Sequence, residues 1–478
     1  MKQHLVKIFL ILLAASLNVW TQDISFDDLY NGYIPSKAAV GAAPAISSAA
    51  PAPTPAAAAA ATPAKGPYNW LIMVFINGRN NLWLQGVNDV NEMEKIGSTD
   101  KVAVVVELGV LQDRKTSSRM FIKKDNNNPD FFQDRAGGIH YMDGTNIKTA
   151  RVKDVFATLK SPSVSIKNSD MGSWKHAVSF ARWAIRKYPA QKYALILWNH
   201  GSGRIDIGGA DNTGAELGIA YDDLTGNFIR NSQIARMLDE ISKIAGKKLD
   251  VYASDACLMQ MLSVIYEIKD HAGIIVQSEE IVPGAGFPYD SILKDLTSNP
   301  NSQAVQLARI ITKNFDRYYE VHNRKHGTTI SAVNPGALGK LIQKLNAWIS
   351  IAVKSDRKKI LSAIKETLSF EHGYTGNDTT MHARSKDLYD FIDRVNKKID
   401  KKSPLFSAGE ELKKSIEKAA FYNETAGPVA AYARAKGIAV YFPKLIYDSS
   451  YDEMLSSRDS LWDDFIKWIL DESYQVRQ

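Results

Sequence analysis

Between residues 70 and 278 the chain carries a series of short apolar runs that do not alternate with polar residues. They are "WLIMVFI" (70–76), "VAVVVEL" (102–108), "YALILW" (193–198), "LDVYAS" (249–254) and "GIIVQS" (273–278). A strand with one wet face alternates, whereas Val- and Ile-rich runs without alternation belong to strands covered on both faces. Between the runs lie helical patterns such as "WKHAVSFARWAIRKY" (174–188) and "NSQIARMLDEISKIA" (231–245). Strands alternating with helices predict an α/β chain, with a mostly parallel sheet between layers of helices. Two further runs follow, "TTISAV" (328–333) and "GIAVYF" (437–442), with a charged, mostly helical stretch at 336–420 between them. Residues 67–335 therefore read as the core. Residues 336–478 read as a helical elaboration of that domain, with 437–442 expected to return to the sheet.

The segment ahead of this core differs in composition. Lys2 and Lys7 precede "IFLILLAA" (8–15), and small and polar residues follow. A basic start, a short apolar stretch and small residues near a cleavage point make residues 1–22 a secretory signal peptide. The stretch is too short to span a bilayer, and no second candidate span follows. Cys257 is the single cysteine of the chain, so the leader lacks the cysteine of a bacterial lipid anchor. The protein is expected to be exported: secreted, periplasmic or at the cell surface. Residues 23–66 include "APAPTPAAAAAATPAKG", a stretch without the large apolar side chains that offset ordering entropy. They read as a tether or pro-segment ending near Lys65.

The net charge of +7 is spread over 478 residues. Lys and Arg are interspersed with Asp and Glu, with no run of five basic residues, which argues against a nucleic-acid partner.

Functional residues of open α/β sheets gather just past the carboxyl ends of strands. "YALILW" runs into Asn199, His200, Gly201, Ser202 and Gly203, and "LDVYAS" runs into Asp255, Ala256 and Cys257. If those strands are neighbours, His200 and Cys257 leave the sheet on one edge. A thiolate is a strong nucleophile, and an imidazole beside it takes the thiol proton and later protonates a leaving amine. A lone cysteine in an oxidising compartment has no disulfide role, which fits a reactive thiol. Gly201 admits close backbone approach, and its N–H with that of Cys257 would form an oxyanion hole. No second cysteine or His-rich spacing suggests a metal at either residue. "GSGRIDIGG" (201–209) lacks the spacing of a dinucleotide loop.

"YALILWNHGSG" followed by "SDACLMQM" resembles the clostripain family of cysteine peptidases, within the caspase-like clan. Three further blocks carry the same resemblance: "MVFINGRNNLWLQGVNDVNEMEKIGS", "VQSEEIVPGAGFPYDSIL" and "GIAVYFP". The resemblance implies a caspase-like α/β/α sandwich, a His–Cys dyad and cleavage after basic residues. His200 would be the general base and acid, and Cys257 the nucleophile. Asp255 would face the basic side chain of a substrate, where a carboxylate suits Arg or Lys. This chain departs from the family pattern at Arg79 and Asn80, where Asp-Asn is expected, and at Arg204, where an aromatic residue is expected. Family members are often activated by cleavage between the His and the Cys. Here no Lys or Arg occurs from Ile205 to Ile229, so Arg230 is one candidate processing site and Lys65 the other. No cofactor is required by this chemistry. The resemblance brings calcium into view, with Asp211, Asp222 and Asp223 as candidates, but their spacing fits no EF-hand and solvated loop acids are favoured.

Taken together these features describe an exported cysteine endopeptidase acting on protein or peptide substrates after Arg or Lys, a zymogen if it processes itself. Two rivals are a legumain-like peptidase of the same clan and a catalytically silent surface-binding protein on the same fold. Asp255 argues against the first, and the presence of both His200 and Cys257 against the second.

Overall fold

The computed structural model describes residues 67–203, 218–322, 327–370, 385–427, 430–443 and 447–477. The segments expected to be a signal peptide and a tether, with Lys65, and also Arg204 and Asp211, lie outside the described residues.

One nine-stranded sheet organises the chain. Its strands, numbered in chain order, are β1 (Tyr68–Gly78), β2 (Val102–Val110), β3 (Thr116–Phe121), β4 (Ser163–Lys167), β5 (Ala190–Trp198), β6 (Leu249–Asp255), β7 (Ala272–Gln277), β8 (Thr328–Val333) and β9 (Ala420–Ala426). Their spatial order is β9-β8-β7-β6-β5-β1-β2-β3-β4. The middle strands, β7-β6-β5-β1-β2, are parallel. Antiparallel pairs extend each edge, β8 and β9 on one side and β3 and β4 on the other.

The missing alternation in the apolar runs has a direct cause. β1 sends Leu71, Met73 and Phe75 into one core and Trp70, Ile72, Val74 and Ile76 into the other. Helices α1 (Trp83–Ile96), α2 (Trp174–Lys187), α3 (Asn231–Ala245), α4 (Leu262–Glu267), α5 (Tyr289–Ser298), α6 (Ala304–His322), α7 (Leu338–Ala352) and α8 (Pro404–Ala419) cover the two faces. α1, α5 and α6 close one face. The other face is closed by α2, α3, α4 and the later helices α7 and α8. α3 shows why such segments are helical: Ile234, Met237, Leu238 and Ile241 recur at helical spacing and are buried, and Gly246 ends the helix in the left-handed conformation.

The expected returning strand at 437–442 is corrected by the topology. Ala439–Tyr441 pairs with Ser385–Asp387 in a separate two-stranded sheet, and Ala439 also bridges Met261. The segment that rejoins the central sheet is β9, "AFYNETA". As an edge strand it is only half-buried along most of its length, so it tolerates Asn423, Glu424 and Thr425 and carries no apolar run. Residues 439–441 are apolar because they are buried against Met261 and the C-terminal helices.

Candidate active site

The chain passes from β1 outward to β4 on one side, then restarts at β5 and runs outward to β9 on the other. The order therefore reverses between β1 and β5, and the crevice past the carboxyl ends of strands at such a point is where α/β sheets bind ligands. Trp198 pairs with Asp255, so His200 and Cys257 each lie two residues beyond one rung of the β5–β6 ladder. Asn199 N–H continues the ladder to Asp255 O at 3.3 Å. The two sequence-predicted residues emerge side by side.

The backbone around the thiol is tightly built. Leu258, next after Cys257, has a φ of 63°, a strained left-handed conformation for a branched residue. Its N–H donates to Glu280 O at 3.2 Å, which holds that turn in place. The Cys257 thiol faces Val282 O at 3.8 Å. A Cβ on Gly201 would lie 2.6 Å from Cys257 O, so only glycine lets the two strand-end loops approach this closely.

His200 is buried, and loss of solvent pushes its imidazole down to about 4. Burial, with Glu280 and Asp255 adding negative potential, pushes the Cys257 thiol up to about 12. Between those limits the resting pair is a neutral imidazole and a neutral thiol. Nε2 of His200 lies 2.8 Å from Asn81 Oδ1, on the turn that follows β1.

Asp255 is fully enclosed. Phe287 N–H and Tyr289 O–H donate to its Oδ2 at 2.9 and 3.0 Å. Gly286 packs so closely that a Cβ there would meet Oδ2 at 2.8 Å. Burial pushes this carboxyl up to about 7, with the two hydrogen bonds opposing the shift. On the neighbouring helix α1, Asp89 accepts from Trp198 Nε1 at 2.5 Å, and burial with the charges of Glu92 and Asp255 raises it well above the carboxylate range. Burial and Asp290 lift Glu92 to about 8, with Lys95 pulling the other way. The residue predicted to read a substrate cation thus belongs to a buried acidic group.

The family model of the clostripain family matches residues 74–468. The chain belongs to the clostripain family. Clostripain of Hathewaya histolytica is 27% identical over 230 residues, which are 46% of this chain and 41% of that protein, so the match spans less than half of the relative's length. A secreted C11 cysteine protease from Bacteroides thetaiotaomicron, solved with an irreversible peptide inhibitor, superposes with a TM-score of 0.56 at 16% identity, covering 84% of this chain and 99% of that one. An inactive zymogen C11 protease from Parabacteroides distasonis gives a TM-score of 0.55 at 17% identity, covering 83% and 99%. At such identities the likeness is one of fold: a caspase-like α/β sandwich.

Where the clostripain family is expected to carry Asp-Asn, Arg79 is completely buried. Its guanidinium lies 3.3 Å from Asp222 Oδ2 and donates to Ser169 O, Ser169 Oγ and Thr116 O at 2.5, 2.7 and 3.0 Å. Asp222 also accepts from the Met171, Leu224 and Thr225 amides. That donor set is a cation and three N–H groups, which does not fit a calcium ligand. Asp223 beside it is exposed. Among the described residues no group of three or more His, Cys, Asp or Glu side chains is placed to hold a metal ion. Arg230 ends a hairpin strand paired with Gly218, and its N–H donates to Gln233 Oε1 at 3.1 Å at the start of α3. Sequence reasoning did not single out Asn81, Asp89, Glu280 or Tyr289, although each falls within or just beside the quoted family blocks.

Proposed function

We propose that this clostripain-family chain is an exported cysteine endopeptidase that cleaves after Arg or Lys with a His200–Cys257 dyad. The observation that carries the reading is the β5–β6 register, which sets His200 and Cys257 at one level beside the switch point with the Asp255 carboxylate one strand-end away. In the first step the Cys257 sulfur bonds to the scissile carbonyl carbon as its proton passes to His200. The carbonyl oxygen becomes an oxyanion facing the N–H groups of Gly201 and Cys257, whose fixed dipoles stabilise it. His200 then gives the proton to the leaving amine as the C–N bond breaks, leaving an acyl thioester. Water, losing a proton to His200, releases the acid and restores the thiol. A dyad that is neutral at rest creates charge only with substrate in place, where those dipoles are aimed. Asp255, buried and opposed by no described cation of its own, suits the guanidinium or ammonium of the residue before the scissile bond.

Export rests on the leader and spacer composition and on the relative described as secreted. No helix among the described residues is long and apolar enough to cross a membrane. Activation by cleavage after Arg230 or near Lys65 is in keeping with a relative described as a zymogen. Cutting after Arg230 requires the end of its hairpin to open, a constraint the paired strand imposes, whereas Lys65 lies outside the described residues. Mass spectrometry of wild type beside Cys257→Ala distinguishes the two: internal self-processing gives fragments joined at Arg230 in wild type only.

The test of function is a panel of fluorogenic peptides ending in Arg, Lys, Asn or Asp. Wild type should cleave the basic members, and Cys257→Ala should lose activity by orders of magnitude with an unchanged thermal unfolding curve. A Cys257→Ala protein with more than a small residue of activity, or a preference for Asn or Asp, would overturn the assignment.

A further inference from the structure

The turn after β1 is more elaborately held than a connection to α1 requires. Arg79 N–H donates to Asn77 Oδ1 at 3.1 Å, and the Arg79 guanidinium is locked to Asp222, Ser169 and Thr116. Asn80 Oδ1 accepts from Leu82 N–H and Asn80 Nδ2 donates to Tyr221 O, both at 2.9 Å. Trp83 N–H closes the turn onto Asn80 O at 3.3 Å. Residues on both sides of Asn81 are therefore pinned by bonds that leave its own side chain one described partner, Nε2 of His200 at 2.8 Å. Asn81 is exposed as a residue while the imidazole is buried, so its place in the fold is not explained by packing.

We propose that Asn81 is the positioning residue of the dyad: its Oδ1 takes the Nε2–H of His200 and so fixes the imidazole tautomer in which Nδ1 is the base. An amide oxygen can only accept, so the ring nitrogen that meets it must carry the proton. The other nitrogen then holds the lone pair that receives the thiol proton. When the ring becomes imidazolium in the transition state, the same bond becomes charge-assisted and strengthens. The bond thus contributes more to the transition state than to the ground state, which raises kcat rather than tightening substrate binding. Arg79, the departure from the family pattern, acts one step further out by anchoring the turn. The proposal rests on the reading of His200 and Cys257 as a dyad.

The experiment compares wild type, Asn81→Leu and Asn81→Asp in the full chain. Three readouts are used: steady-state cleavage of an Arg-ended peptide, the pH dependence of Cys257 alkylation by iodoacetamide, and the thermal midpoint. Asn81→Leu should lower kcat by about 10- to 100-fold with KM nearly unchanged, the scale of a misoriented general base. Asn81→Asp keeps an acceptor and adds a negative charge, so it should restore most of kcat. It should also move the acid limb of alkylation to higher pH by about one unit or more, because the carboxylate favours the imidazolium. A role in folding alone would lower the thermal midpoint of both variants and leave the acid limb in place. Wild-type kcat in Asn81→Leu, or an unmoved limb in Asn81→Asp, overturns the proposal. A wild type that cleaves no basic peptide, while its alkylation limb still moves in Asn81→Asp, fails the proposed specificity and leaves the role of Asn81 standing.

Discussion

At the scale of single residues, the site is defined by groups held away from their usual charge states. Burial holds His200 near 4 and Cys257 near 12, so neither ionises at rest in the neutral range. Asp255 is different, because at about 7 it titrates within that range. Only its carboxylate attracts a cation. Below its pKa the folded protein holds a neutral acid, and above it the carboxylate that the proposed specificity requires. For Arg-ended peptides kcat/KM should therefore climb through about pH 7 and level off above it. Asp255→Asn should lose this limb and cost about 2–5 kcal/mol of transition-state binding for basic substrates. A pH profile that stays unchanged in the Asn variant would place the specificity pocket elsewhere. The placing of Asp255, His200 and Cys257 at or just past strand ends was legible in the chain, since both strands are unmistakable apolar runs. Asn81 was not: it is one asparagine among three in "NGRNNL", and nothing local says which of them meets His200.

At the scale of elements, the hairpin of residues 218–230 is clamped over the strand ends. Asn77 Nδ2 donates to Ala220 O at 2.9 Å, Tyr221 N–H donates to Asn199 Oδ1 at 3.1 Å, and Ser202 N–H donates to Gly218 O at 3.1 Å. The Arg79–Asp222 ion pair is the deepest of these ties, with both side chains wholly removed from solvent. Deleting one partner of such a pair leaves an uncompensated buried charge. Arg79→Leu should therefore destabilise the protein by about 3–5 kcal/mol, read from urea midpoints. The double variant Arg79→Leu with Asp222→Asn should recover part of that loss, because no lone charge remains. A single-variant cost near zero would mean that the three amides around Asp222 suffice to hold its charge. Sequence reading saw Arg79 as a departure from the family pattern and Asp222 as a solvated loop acid. Their pairing joins positions far apart in the chain, and no short motif encodes it.

At the scale of the whole molecule, buried acids make stability depend on pH in an unusual direction. Burial raises Asp89, Glu92, Asp255, Glu279 and Asp387, to about 8 for Glu92 and about 7 for Asp255 and Asp387. Glu279 and Asp387 share a hydrogen bond that ties the segment after β7 to the C-terminal helices. In the unfolded chain all five lose their protons near the ordinary carboxylate range, so at neutral pH unfolding releases protons. Stability contributed by their protonated forms is then lost as pH rises through the folded values. His200, held low, acts oppositely and costs stability only as pH falls below about 6.5. The urea midpoint should consequently fall between about pH 6.5 and 8.5. Asp387→Asn should flatten that slope, since Asn still caps the helix that begins at Leu388. A midpoint that rises across the interval would contradict the account.

What the sequence determined by itself is whatever depends on near neighbours along the chain. Unbroken apolar runs announce strands buried on both faces, helical spacing announces the layers over them, and strand ends announce where His200, Asp255 and Cys257 emerge. Tertiary structure alone decided that β5 lies between β1 and β6, which turns two strand ends into one site and brings Asn81 to His200. It also decided that the polar segment 420–426, and not the apolar 439–441, completes the central sheet. The physical reason is common to all of these. A residue's polarity reports how much of it is buried, but not which distant segment buries it, and strand order, ion pairing and edge position are properties of that partner.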